Sequence, residues 1–185
     1  MQQLRSHIFL ILSILLVFFF LRDSVACAPT WSVPARNGTF DTPETYTVCL
    51  DLPPAQRAEA HRAVEMWDRS LHQWKHLVAV DGANEPCSFI ISETSNNTTN
   101  DPMVIAWTSH VGGSEIFVLI GRYENDVTGI LLHELGHALG AQHVPGTLMN
   151  DAWQRNLYVC PDVITVAQVA AYNHISLMLL SWCTP

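Results

Sequence analysis

The chain has 185 residues, 49% of them hydrophobic and 14% charged, with 9 basic against 17 acidic side chains and a formal net charge of −8. That length suits one globular domain plus terminal segments, and the composition excludes a disordered chain. With one lysine, Lys75, and no basic cluster, the chain has nothing to grip phosphates with, which excludes nucleic-acid binding.

Near the N-terminus, Ile8 to Leu21 is apolar except for Ser13, with Arg5 and His7 before it and Arg22, Asp23 and the small-residue stretch SVACA after it. The run is shorter than the ~20 residues of a spanning helix and reads as the core of an export signal, with cleavage after Ala26 or Ala28. The alternatives are an uncleaved N-terminal membrane anchor and lipidation at Cys27. Residues 1–28 are thus expected to be a signal peptide, residues 29–45 an extended leader, and residues 46–185 the working domain. That domain is expected to be monomeric, secreted to an extracellular or periplasmic space, and without membrane contact beyond the signal. Of the five cysteines only Cys27 lies at the signal boundary; Cys49, Cys87, Cys160 and Cys183 are expected to form two disulfides, with three connectivities open. None sits in a C-x-x-C pair, so a thiolate zinc cluster has no support.

Tyr46 to Leu50 reads as a strand ending before Pro53-Pro54. Ala60, Val64, Trp67, Leu71 and Trp74 then recur at helical spacing, predicting an amphipathic helix of about five turns. His61, His72 and His76 lie off that stripe and read as surface histidines. Four further strands are predicted at Leu77 to Val80, Ser88 to Ser92, Val104 to Thr108 and Glu115 to Ile120, between turn-rich clusters. Strands grouped between helices predict an α+β domain with a mixed sheet. Asn37, Asn96 and Asn97 each open an N-x-Thr sequon, an acceptor for glycosylation where the source performs it.

Asn125 is the predicted cap of a helix containing His133, Glu134 and His137, an H-E-x-x-H pattern. Histidines four apart share a helix face and reach one ion, while Glu134 is rotated beside it. Gly140 follows where a left-handed turn ends the helix, letting His143 return as a third ligand. Three imidazoles with an open fourth position describe a catalytic Zn²⁺ site, and Glu134 is placed to serve as general base and acid. Thr165 to Gln168 has the capping-box pattern of a last helix.

HELGHALGAQH completes H-E-x-x-H-x-x-G-x-x-H with Met149 downstream, and in this the chain resembles the metzincin zinc endopeptidases, most nearly the matrixin branch. The resemblance implies a mixed twisted sheet of about five strands with a long backing helix, a zinc-binding active-site helix and a C-terminal helix. It implies His133, His137 and His143 as ligands of one Zn²⁺, Glu134 as the catalytic base and acid, and Met149 and Gly140 as supports of the site. It further implies that Val104, Ile105, Ala106 and Trp107, on an antiparallel edge strand, take an extended peptide or protein substrate. Val144 to Asp151 would then wall a mostly apolar pocket. Departures are Asp151 in place of a ligand tyrosine, no cysteine-switch propeptide, and only His110 between residues 93 and 115, so a structural zinc or calcium is not expected. The activity expected is that of a secreted endopeptidase hydrolysing peptide bonds. The alternative is a non-catalytic secreted binding module stabilised by zinc.

Overall fold

The computed structural model describes residues 30–32, 44–71, 73–83, 86–99, 101–119, 121–122, 126–151 and 160–184. The predicted signal, Cys27, Asn37, His72 and Asn125 lie outside them, as does most of the predicted leader. In chain order the elements are β1 (Thr30–Ser32), β2 (Glu44–Asp51), α1 (Pro54–Leu71), β3 (Lys75–Asp81), β4 (Phe89–Thr94), β5 (Ala106–Thr108), β6 (Glu115–Leu119), α2 (Val127–Ala138), α3 (Val163–Tyr172), a 3₁₀ turn at Leu177–Leu179, and β7 (Trp182–Thr184).

Five strands form a mixed sheet in the order β3-β2-β4-β6-β5, within the α+β class expected. β2 runs parallel to β3 and to β4, β4 runs parallel to β6, and β5 alone is antiparallel, at the edge beside β6. The parallel pair β2 and β3 needs a crossover, and α1 supplies it. Pro54 opens α1, where a missing N–H costs nothing, and the helix turns Ala60, Val64, Trp67 and Leu71 inward as its spacing predicts. Trp74 differs from expectation, because α1 ends at Leu71 and Trp74 lies in the turn that leads into β3.

Trp67 is fully buried, and its indole N–H donates to Leu132 O of α2 at 2.9 Å. Burying an aromatic ring together with its polar atom demands such a partner, and here the bond fixes α1 to α2. α2 is buried on nearly every side, with Ile130, Leu131, Leu132 and Leu135 in the core. His133 and Glu134 are therefore polar groups inserted into apolar packing.

The helix caps depart from the sequence reading. Asp126 caps α2 through Gly129 N at 3.2 Å, and Asp162 caps α3 by accepting from Ile164 N and Thr165 N. Thr165 is thus inside the first turn of α3, its hydroxyl bonded to Asp162 Oδ2 at 2.8 Å, because an ionised carboxylate at the N-terminus outcompetes a threonine hydroxyl there. Within the predicted leader, Thr30–Ser32 pairs with β7 as a separate two-stranded sheet, and Glu44 and Thr45 belong to β2.

Cys49 is joined to Cys87 and Cys160 to Cys183, with Cα atoms 5.7 and 6.0 Å apart. Two disulfides fit an extracellular or periplasmic protein, and no described helix is long and apolar enough to cross a membrane. The Cys49–Cys87 bridge closes a sequence separation of 38 residues, a loop whose closure removes about 4 kcal/mol of unfolded-state entropy in the chain-entropy model. Replacing both cysteines by alanine is expected to lower the unfolding free energy by roughly 2–4 kcal/mol in urea titration. An unchanged midpoint would contradict a structural role.

Candidate metal centre

His133 and His137 are one helical turn apart on α2 and present the same face. His133 donates its Nδ1–H to Leu148 O at 2.8 Å, and His137 donates its Nδ1–H to Ala141 O at 2.8 Å. With the proton held at Nδ1, each ring turns an unprotonated Nε2 lone pair away from the carbonyl.

His143 reaches the same point from the loop after α2. Gly140, at φ +104°, makes the return possible, with Gly140 N donating to His137 O and Ala141 N to Gly136 O. That pair of bonds is a left-handed helix termination. A side chain at Gly140 would also collide with Tyr172, whose Cδ1 lies 2.1 Å from the place of a Cβ.

The three Nε2 atoms converge at separations of 3.0, 3.1 and 3.3 Å. Since the His133 and His137 protons sit on Nδ1, no hydrogen lies between their Nε2 atoms, and two lone pairs at 3.1 Å repel unless a cation sits between them. Three nitrogens each 2.0–2.1 Å from a tetrahedral ion would be about 3.3 Å apart. Donor identity, tautomer and spacing therefore all fit a metal ion. Among the described residues this trio is the one group of three histidine, cysteine or acidic side chains gathered closely enough to hold one. His61 and His76 instead pair with Asp81 and Asp68 at 2.9 and 3.2 Å.

Burial pushes the His133 imidazole down to about 4, and the neighbouring imidazoles add to the shift against the opposing Leu148 carbonyl. Burial likewise lowers His137. Both rings thus stay neutral, as ligands must be. Glu134 is only 6% exposed, and burial pushes its carboxyl up to about 7, although the hydroxyl and main-chain N–H of Thr108 pull the other way. A carboxyl poised near neutrality exchanges a proton readily in either direction.

Met149 is fully buried and packs against α2 between the two helical histidines: a Cβ on Gly136 would lie 2.5 Å from Met149 Sδ. The loop carrying it is closed by Val144 N to Met149 O at 2.8 Å and anchored by Leu148 N to Asp162 Oδ2 at 2.8 Å. The same Leu148 accepts from His133, so Asp162 reaches the histidine cluster through one residue.

A cleft of about 730 Å³ runs across the three histidines and Glu134, with Val104, Ile105, Ala106, Trp107 and Thr108 along one side. The opposite wall corrects the apolar lining expected of Val144 to Asp151. Thr147 and Leu148 are buried beneath the loop, and the residues of that stretch that reach the cleft are polar, Asn150 and Asp151. Thr108, Gly136 and Asp162 were not anticipated from sequence. Gly136 alone left a trace, as the small residue inside H-E-L-G-H.

No protein-family model matches the chain, and a search of curated proteins finds no match either.

The Glu134 shift has a signed consequence in chelated protein. A folded-state value near 7 against 4.5 for the free group means that stability from this carboxyl is complete below pH 4.5 and is lost as pH rises through 7. His133 acts oppositely, its contribution being complete above 6.5 and lost towards pH 4. In metal-free protein, Glu134→Gln should therefore gain on the native chain by roughly 3 kcal/mol between pH 4.5 and 8, at 1.36 kcal/mol per pKa unit. Urea unfolding curves for the two proteins that stay parallel across that range would refute it.

Proposed function

We propose that this chain is a secreted zinc-dependent endopeptidase of the metzincin type, nearest the matrixin branch, that cleaves peptide or protein substrates. The observation that carries the reading is the convergence of three Nε2 atoms, two with fixed tautomers, beside a buried carboxyl on the floor of an open cleft. Three imidazoles from an H-E-x-x-H helix and its following loop suit Zn²⁺ with a fourth position free. When bound there, the ion would supply Lewis acidity towards a water and a substrate carbonyl.

The chain's own residues divide the remaining work. Leu148 O and Ala141 O orient two of the ligands, and Met149 and Gly140 hold the turn that brings the third. Glu134 takes a proton from the attacking water and delivers it to the departing amide nitrogen. The cleft edge is β5. Ile105 O accepts from Leu119 N and Ser109 N donates to Glu115 O, so odd-numbered residues bond β6 and, by alternation, the main-chain groups of Ala106 and Thr108 face the free edge. An extended peptide adds there as a further strand. Secretion is supported by the two disulfides and by the signal-like pattern of residues 1–28.

A zinc-stabilised binding module would use the same three imidazoles. It would not require a buried carboxyl on the floor of an open cleft beside them, and for that reason the enzyme is preferred.

Glu134→Ala should keep its metal, since the imidazoles supply the affinity, while peptide turnover falls by roughly 10²–10⁴-fold. His137→Ala should lose the metal as well as activity, and a chelator should abolish turnover reversibly. Metal analysis by mass spectrometry alongside cleavage of a broad peptide library checks all three. Native chain that holds one zinc and cleaves nothing would replace the enzyme by the binding module.

A further inference from the structure

Given the peptidase reading, we infer that Thr108 is a positioning residue. Its hydroxyl locks the Glu134 carboxyl in place and ties that carboxyl to the strand edge along which substrate lies. Thr108 Oγ1 is 2.9 Å from Glu134 Oε2 and 2.9 Å from Glu134 O. Both are acceptors when the carboxylate is ionised, so the single hydroxyl proton serves the two ends of one residue and pins the side chain against its own helix. Glu134, on the cleft floor, is therefore held at its main-chain and its side-chain oxygen by one hydroxyl from the cleft wall.

Strand alternation explains why this residue can do so. The main-chain groups of Ile105 and Ser109 are turned to β6, so Thr108 turns its own to the free edge. Its side chain lies on the face towards α2. Val104 and Ala106 are the other members of the same alternate set, and neither carries a side-chain donor. Ser109 points its hydroxyl to His110 Nδ1, 3.4 Å away. An incoming strand that registers on β5 is thus placed by the same three-residue element that sets the orientation of the carboxyl. A misplacement of about 1 Å in such a group can cost about 10²-fold in rate.

The test uses Thr108→Val, which keeps the branched shape and removes the hydroxyl, Thr108→Ser, which restores it, and Thr108→Ala as a second hydroxyl-free variant in case valine does not fold. Zinc content, kcat and KM on a quenched peptide, and the ¹³C resonance of the Glu134 carboxyl in zinc-free protein are measured for each. The hydroxyl-free variants should hold one zinc and keep KM within about twofold, with kcat lowered about 10- to 100-fold, the range for a hydrogen bond to a charged group. Their carboxyl resonance should shift, and serine should bring both kcat and resonance back. Native kcat with an unshifted resonance in a hydroxyl-free variant would overturn the inference, and so would a serine variant as slow as valine. A native chain that holds zinc without cleaving any peptide defeats the peptidase reading instead, and the carboxyl resonance then decides alone whether Thr108 holds Glu134.

Discussion

The Nδ1–H groups of His133 and His137 are each held by a main-chain carbonyl, Leu148 O and Ala141 O, and the chemistry of the centre depends on these two bonds. They decide which nitrogen each ring presents. Without them either ring could place a proton between the Nε2 atoms and relieve the crowding by a hydrogen bond, and the cluster would need no ion. Because both carbonyls belong to the chain just beyond α2, tautomer and ligand geometry rest on the path of residues 140–149. That path requires a left-handed Gly140, the Val144–Met149 closure, and the anchoring of Leu148 by Asp162.

The surrounding core pays for this arrangement in polar burial. His133 and Glu134 occupy positions on α2 that would otherwise bury apolar side chains, and their ionised forms are disfavoured there. The packing that tolerates them is dense: Trp67 bonds Leu132 O from one side, and Met149 fills the groove left by Gly136 on another. Two disulfides and a mixed sheet hold the frame in which these two groups sit. The free edge of β5, ordinarily a hazard for aggregation, lies along the cleft that contains them.

Much of the centre was legible because its information is local. Helical periodicity places His133 over His137, and a glycine three residues later announces the turn that returns His143. The stripe from Ala60 to Leu71 was equally local, and the antiparallel edge at Val104 to Thr108 was reached through resemblance. What was not legible depends on residues brought together from far apart. Thr108 meets Glu134 across 26 residues and Asp162 meets Leu148 across 14, with no spacing rule to signal either. β1 and β7 are three-residue strands from opposite ends of the described chain, too short to carry a period. At α3, Thr165 offered a capping pattern, but Asp162, three residues earlier, held the stronger cap. The pocket wall was misread for a different reason: composition reports which residues lie in Val144 to Asp151, whereas the tight loop around Met149 decides that Thr147 and Leu148 turn inward and Asn150 and Asp151 outward.

The most direct measurement is X-ray absorption at the zinc edge on the purified, metal-loaded protein, because it reports the ligand set without relying on activity. Three nitrogen ligands of imidazole type at about 2.0–2.1 Å with one further light oxygen ligand are predicted. Sulfur in the first shell, a fourth protein nitrogen that closes the site, or failure to bind one equivalent of zinc would contradict an open three-histidine centre.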